Sequence, residues 1–183
     1  RGVNYRTIGI GPKKGKNFKV KCPTTYLSTI IFESNTVIRL TLSFDVIAHQ
    51  RNHIELYGKK GSLIVPDPNM FGGSVYICKK LGDSWKEFKT GKMLLGKINI
   101  KTQSSRANES PTNANYRGAG LSEMAHCIEK RKKHKCNGEL ALHVLDIIES
   151  TMKASISNIP RKIKTKCKKI NKFTEQEIKK LLI

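Results

Sequence analysis

The chain has 183 residues and a mass of 20.6 kDa, enough for one ordinary domain with a hydrophobic core. Hydrophobic residues make up 38% of it, which excludes a disordered chain, and no stretch approaches the roughly 20 uninterrupted apolar residues of a membrane-spanning helix. Lysine and arginine number 35 against 14 acidic residues, so the net charge is +21 and an anionic partner has to be considered.

The first predicted element is an antiparallel hairpin. Residues 25–33 are rich in β-branched and aromatic side chains, and Ser34-Asn35 is a typical turn pair. Residues 36–45 then alternate strictly between apolar and polar side chains, which indicates a strand with one dry face and one polar face. The apolar positions are Ile38, Leu40, Leu42 and Phe44.

A second hairpin is predicted directly afterwards. Its strands, 54–57 and 62–65, are joined by Gly58-Lys-Lys-Gly61, whose glycines permit the positive φ of a tight turn. The prolines of residues 66–69 end the hairpin, because proline cannot donate to a strand ladder. Further along the chain, weaker strands are predicted at 74–78 and 85–88 and a loop without periodicity at 101–115.

Helices follow the strands. Apolar residues at helical spacing predict one helix around 121–128 and a longer one from Glu139 to about Ser157, with Gly138 as the break between them. The sequence Thr174-Glu-Gln-Glu177 is typical of a capping box and predicts a short closing helix. Strands first and helices afterwards favour the α+β class, with an open, mostly antiparallel sheet and helices packed on one face.

The five cysteines form no C-x-x-C pair, so zinc fingers and ribbons are excluded. Cys127 and Cys136 have His126 and His134 beside them, but a helix would spread these side chains around its circumference. We therefore expect no metal site, and free thiols in a reducing, cytoplasmic environment.

The basic charge has two interpretations, a polyanion-binding surface or scattered, solvated lysines. Two runs are dense, residues 129–135 and 161–169. Neither is interleaved with the aromatic residues that single-strand stacking requires, and no recognition-helix pattern accompanies them. The sequence therefore disfavours nucleic acid as the partner.

Four segments, in order, resemble one family. Residues 54–73, 115–125 and 138–146, together with Ser43-Phe-Asp-Val46 and His49, resemble the C-terminal domain of the glucose–fructose oxidoreductase/inositol dehydrogenase (Gfo/Idh/MocA) family. The likeness runs from residue 5 to about 158. It departs from the family pattern at Ser122-Glu123 and in the 101–115 loop, which is longer. The expected domains are thus 1–158, the sheet domain, and 159–183, a basic tail with a short closing helix that the fold does not require.

The resemblance implies one half of an NAD(P)-dependent dehydrogenase acting on a sugar, polyol or related hydroxy compound, assembled as a homo-oligomer through the sheet. The family's Gly-rich cofactor loop and its catalytic lysine and histidine motifs are missing. Gly9-Ile-Gly11 is a poor substitute for that loop, because proline and lysine follow it rather than a helix. The chain opens without methionine and reads as the middle of a longer protein. We therefore expect it to bind no NAD or NADP and to be inactive alone.

Three residues are candidates for the wall of a substrate pocket. Asp45 and His49 follow the strand with the polar face, and Arg117 stands before a helix N-terminus, where an anion is favoured. Each has a structural alternative: a turn cap for Asp45, an ordinary loop residue for His49, and a tie between loop and sheet carbonyls for Arg117. No catalytic, cofactor-binding or metal-ligating residue is assigned. The functional alternatives are a stand-alone oligomerisation or interaction domain and, less favoured, a basic nucleic-acid-binding module.

Overall fold

A computed structural model describes residues 4–69, 71–99 and 114–181. The chain divides into two compact units, Arg1–Gln50 and Arg51–Ile183. Strands and helices are both present, and the sheets are open rather than closed into a barrel, so the α+β class with antiparallel sheets is confirmed.

The first unit contains two separate two-stranded antiparallel sheets. Strand β1 (Tyr5–Thr7) pairs with β2 (Asn17–Lys19), a short pair that the sequence patterns do not predict. Strand β3 (Thr25–Ile31) pairs with β4 (Val37–Ser43) through the expected turn, where Asn35 has φ 61°. The alternation of β4 places Ile38, Leu40 and Leu42 on one face, but that face is not dry, because Ile38 is 39% exposed and Leu42 52%.

The second unit contains a four-stranded antiparallel sheet in the order β5-β6-β7-β8. Its strands are β5 (Ile54–Gly58), β6 (Gly61–Val65), β7 (Ser74–Cys78) and β8 (Lys86–Lys89). The predicted second hairpin and both weaker strands are therefore confirmed. Gly61 has φ 132°, and a Cβ there would lie 2.4 Å from the Cys78 carbonyl oxygen, so the turn requires glycine.

In the part of the chain that the structure describes, three α-helices follow a short 3-10 helix at Thr90–Lys92. They are α1 (Ala119–Glu129), α2 (Gly138–Ser157) and α3 (Glu175–Leu181), at the predicted positions. Asn137 caps α2 by accepting hydrogen bonds from the amides of Glu139 and Leu140. Among the described residues, no helix combines the length and apolarity that crossing a membrane demands. Residues 101–113 of the predicted loop lie outside the described residues.

Few apolar side chains are buried. Within the described ranges, Ala114 is the only fully buried hydrophobic residue, with 3% of its surface exposed. The apolar stripes predicted for α1 and α2 are largely exposed, and the residues buried there are Glu123 and Ser150. The amphipathic pattern is present, but the described residues do not cover the apolar faces that it creates.

Candidate functional site

Asp45 forms the centre of a polar network at the end of β4. Its carboxylate accepts hydrogen bonds from Thr24 Oγ1 at 2.6 Å and Thr25 Oγ1 at 2.8 Å, and pairs with Arg6 at 3.1 Å. The Arg6 guanidinium also donates to the Phe44 carbonyl. The carboxylate thus links the strands of the first unit, a structural task that goes beyond the expected turn cap. A role in a substrate pocket remains a prediction.

His49 lies in the exposed segment after β4, and Arg117 belongs to the second unit. The structure therefore brings Asp45 and His49 into one unit and does not describe their distance from Arg117. The substrate-wall assignment of these three residues stays a prediction.

Arg117 links two loops of the second unit by hydrogen bonds to Asn69. Its Nη2 donates to the Asn69 carbonyl oxygen at 3.0 Å, and its Nη1 lies 3.4 Å from Asn69 Oδ1. Its backbone N–H donates to Asn115 Oδ1 at 3.2 Å. This guanidinium joins two loop segments 48 residues apart, and its partner Asn69 lies in a turn after β6 rather than in the sheet.

The same loop junction contains further contacts. Asn99 exchanges two 2.8 Å hydrogen bonds with the backbone of Asn115, and the Tyr116 hydroxyl donates to the Lys97 carbonyl at 2.8 Å. The rings of Phe71 and Tyr116 meet edge to face at 5.7 Å. We call residues 69–71, 97–99 and 114–117, as far as the structure describes them, the loop clasp.

A second cluster, which the sequence analysis did not find, joins α1 to α3. Glu123 is only 7% exposed, and its Oε1 accepts the Lys135 N–H at 3.0 Å. Lys135 Nζ in turn lies 3.4 Å from Glu177 Oε1 and 4.7 Å from the centre of the Phe173 ring. A cavity of about 210 Å³ adjoins this cluster. Its members carried separate sequence signals, since Lys135 lies in the dense basic run, Glu177 in the capping box and Glu123 at a departure from the family pattern.

Cys127 also lines that cavity, but its environment disfavours nucleophilic chemistry. Burial raises the pKa of its thiol, and the contact with Glu123 at 3.4 Å raises it further. A reactive cysteine needs a lowered pKa, because the thiolate is the nucleophile. The cavity therefore provides no activated thiol.

A third cluster connects the basic tail to α2. Asp146 Oδ2 accepts the backbone N–H groups of Lys164 at 2.8 Å and Thr165 at 2.9 Å, and the Thr165 hydroxyl at 3.0 Å. His143 Nδ1 lies 2.9 Å from the same hydroxyl. The pKa of Asp146 is lowered, chiefly by the Thr165 N–H and further by the Thr165 hydroxyl and the Lys164 N–H. Part of the tail is thus held against α2, although the 158/159 boundary itself stays a prediction.

That this chain binds no nicotinamide dinucleotide stays a prediction, and the described residues do not form the usual cradle of that cofactor. Its usual cradle is a Gly-rich turn between a strand and a helix of a parallel sheet. Every strand pair among the described residues is antiparallel. Gly11, with φ 83°, belongs to a turn that leads into β2 instead of a helix. We assign no step of a hydride transfer to these side chains.

The described residues contain no group of three or more histidine, cysteine or acidic side chains arranged to hold a metal. All five cysteines are free. Comparison of the chain with protein-family models, curated proteins and solved structures finds no match. The site must therefore be interpreted from its own geometry.

Proposed function

We propose that this chain is the substrate-side and oligomerisation domain of an NAD(P)-dependent oxidoreductase of the Gfo/Idh/MocA type. In this proposal a separate Rossmann domain binds NAD or NADP, and the substrate is a sugar, polyol or related hydroxy compound. The present chain supplies walls of the pocket, with Asp45, His49 and Arg117 as candidate wall residues, and surfaces for a second copy.

The contacts between motif segments support the proposal. Asn69 lies in the segment 54–73 and Arg117 in the segment 115–125, and the loop clasp joins them. Asp146, in the segment 138–146, holds the chain that follows it. Two of the segments that carry the resemblance, 54–73 and 115–125, thus meet within the second unit, which supports a shared architecture for that part of the chain.

One observation carries the oligomerisation part of the proposal: apolar side chains on both faces of the β3–β4 hairpin are exposed to solvent. Leu27 is 76% exposed and Ile31 71%, and Leu42, across from Tyr26, is 52% exposed. Large apolar patches on a protein surface typically mark interaction sites. Because the apolar residues occupy both faces, a second copy of the chain is the proposed cover. The free thiols favour the cytoplasm as the compartment.

Light scattering on the purified chain tests the assembly. We expect a dimer that dissociates on dilution, and we expect Ile31→Glu to shift it to monomer because a charge cannot be buried in the interface. Ile10→Glu is the matched control, since Ile10 is a similarly exposed apolar residue in a turn of the same unit. A strict monomer at high concentration, or equal effects of both variants, would contradict a sheet-mediated dimer.

The oxidoreductase assignment has its own test. Calorimetric titration of this chain with NAD and NADP is expected to show no binding, whereas the native protein isolated from its source cell is expected to bind one of them. Sequencing of the gene upstream of the Arg1 codon should find an in-frame strand–Gly-rich loop–helix pattern. A stop codon directly upstream would favour the stand-alone interaction domain instead.

A further inference from the structure

The basic tail after α2 is not evenly exposed to solvent along its length. Between residues 161 and 168 the half-buried side chains are Ile163, Thr165 and Cys167, and the residues between them are exposed. The hydrogen bonds of Thr165 to Asp146 and His143 explain this alternation, because they hold one side of the segment against α2. The opposite side presents a row of exposed lysines: Lys162, Lys164, Lys166 and Lys168.

The alternation spaces the lysines of this row two residues apart, a separation of about 6.6 Å in an extended chain that rises about 3.3 Å per residue. Because the backbone of this segment is hydrogen-bonded to Asp146, its lysines already lie on one side of the segment before a partner binds. A pre-organised row loses less conformational entropy on binding than a free tail would. Residues 161–172 contain seven basic and no acidic side chains, so the row is not neutralised from within the segment.

The second basic run lies close to the first. Lys133 Nζ pairs with Glu139 Oε1 at 2.6 Å at the start of α2. Lys135 Nζ, in the same run, lies 4.7 Å from the centre of the Phe173 ring, just beyond the end of the tail's basic run. Lys130, Arg131 and Lys132 are exposed nearby in sequence. Two runs that are separate in the sequence thus both contact the first half of α2.

We propose that these two runs, residues 130–135 and 161–169, form a binding surface for the phosphate backbone of double-stranded nucleic acid. Lysine is a compact point charge suited to phosphate oxygens, and neither run contains Phe, Tyr or Trp on which unpaired bases would stack. A duplex carries about one charge per 1.7 Å of its axis, twice the density of one strand. Binding is therefore independent of base sequence and sensitive to salt.

A membrane surface is the less favoured partner for this row. An amphipathic segment binds a membrane interface by placing apolar side chains, beside its basic ones, into the boundary of the acyl chains. In the docked segment the apolar side chains Ile163 and Cys167 are on the half-buried side, away from the exposed lysines. The exposed side of residues 162–168 offers charge without an apolar anchor.

Fluorescence anisotropy with a labelled duplex of about 20 base pairs, as DNA and as RNA, tests the surface. The variant Lys162→Gln/Lys164→Gln/Lys168→Gln removes three charges from the row. Each lost phosphate contact lowers the logarithmic salt slope by about 0.9, so we expect a slope smaller by two to three and an affinity at least about tenfold weaker at 100 mM salt. The control variant Lys13→Gln/Lys14→Gln/Lys16→Gln removes three exposed lysines from the first unit and is expected to change affinity by less than about twofold.

Three results would overturn the proposal. The first is the absence of duplex binding by the parent chain at 50 mM salt. The second is an equal loss in both triple variants, which would mean that net charge alone drives binding. The third is tight binding to vesicles containing phosphatidylserine with none to duplexes, which would make lipid the partner. Thermal melts of both variants confirm that each is folded.

Discussion

Asp146 shows how one carboxylate can anchor a long segment. It receives two backbone N–H groups and a hydroxyl from the tail, and Ser150 Oγ donates to its other oxygen at 3.2 Å. Hydrogen bonds to the ionised form favour ionisation, which is why its pKa is lowered, first by the Thr165 N–H. The charge of Asp146 is therefore coupled to the docking of the tail.

This coupling predicts a pH dependence. A carboxylate with a lowered pKa stabilises the fold fully above its unfolded pKa, about 3.9, and loses that contribution as the pH falls through the folded value. We expect Asp146→Asn to melt at a lower temperature than the parent at pH 6, with the difference narrowing below about pH 4. Melting curves between pH 6 and 2.5 measure it, and Asp83→Asn, in an exposed turn, is the control. A difference that stays constant with pH would contradict the anchor.

At the scale of elements, α3 has only seven residues, too few to be stable from helix propensity alone. Its capping box is fully formed. Thr174 donates its backbone N–H to Glu177 Oε2 at 2.7 Å, and Glu177 returns its own N–H to Thr174 Oγ1 at 3.2 Å. The pairing of Lys135 with Glu177 then ties this first turn to the segment between α1 and α2.

Removing the cap should loosen α3 selectively. An N-cap threonine replaced by alanine costs about 1 kcal/mol, so Thr174→Ala is expected to lower the amide-exchange protection of Ile178 and Leu181 by about fivefold. Gln176→Ala changes an exposed position of the same helix and should leave that protection intact or slightly raised. Unchanged protection in Thr174→Ala would show that other contacts hold the helix.

At the scale of the whole molecule, hydrophobic burial is sparse and polar anchors are numerous. The tail is a case in point, since its docking relies on Asp146, Lys135 and Glu177 together with a small apolar set that includes Ile178 and Leu181. Such a set contributes about 2–4 kcal/mol if fully buried, and the entropy of ordering the segment offsets much of it.

Deleting residues 161–183 is therefore expected to leave a cooperative melt within several degrees of the parent. Calorimetry measures the transition, and a chain ending at residue 173 keeps the basic segment while removing α3, which separates the two contributions. If the shorter chain does not fold, the tail is part of the domain and the expected boundary near 158 is wrong.

The sequence alone determined the longer strands and the α-helices of this protein, because each rests on a local pattern. Alternation in residues 36–45 specifies a two-sided strand, Gly58 and Gly61 specify a tight turn, and Thr174 with Glu177 specifies a helix start. The α+β class follows from their order. The sequence patterns did not predict the short β1–β2 pair, because strands of three residues are too short to show a periodic pattern.

Only the tertiary structure decided what the polar side chains do. Arg117 meets Asn69 across 48 residues, and Thr165 meets Asp146 across 19, distances over which no periodicity acts. The tail illustrates the difference most clearly. In the sequence its lysines are a solvated charge run, whereas the contact with α2 exposes one side of that run and covers the other. A charge pattern becomes a surface only when a non-local contact orients it, and such contacts depend on how distant segments pack.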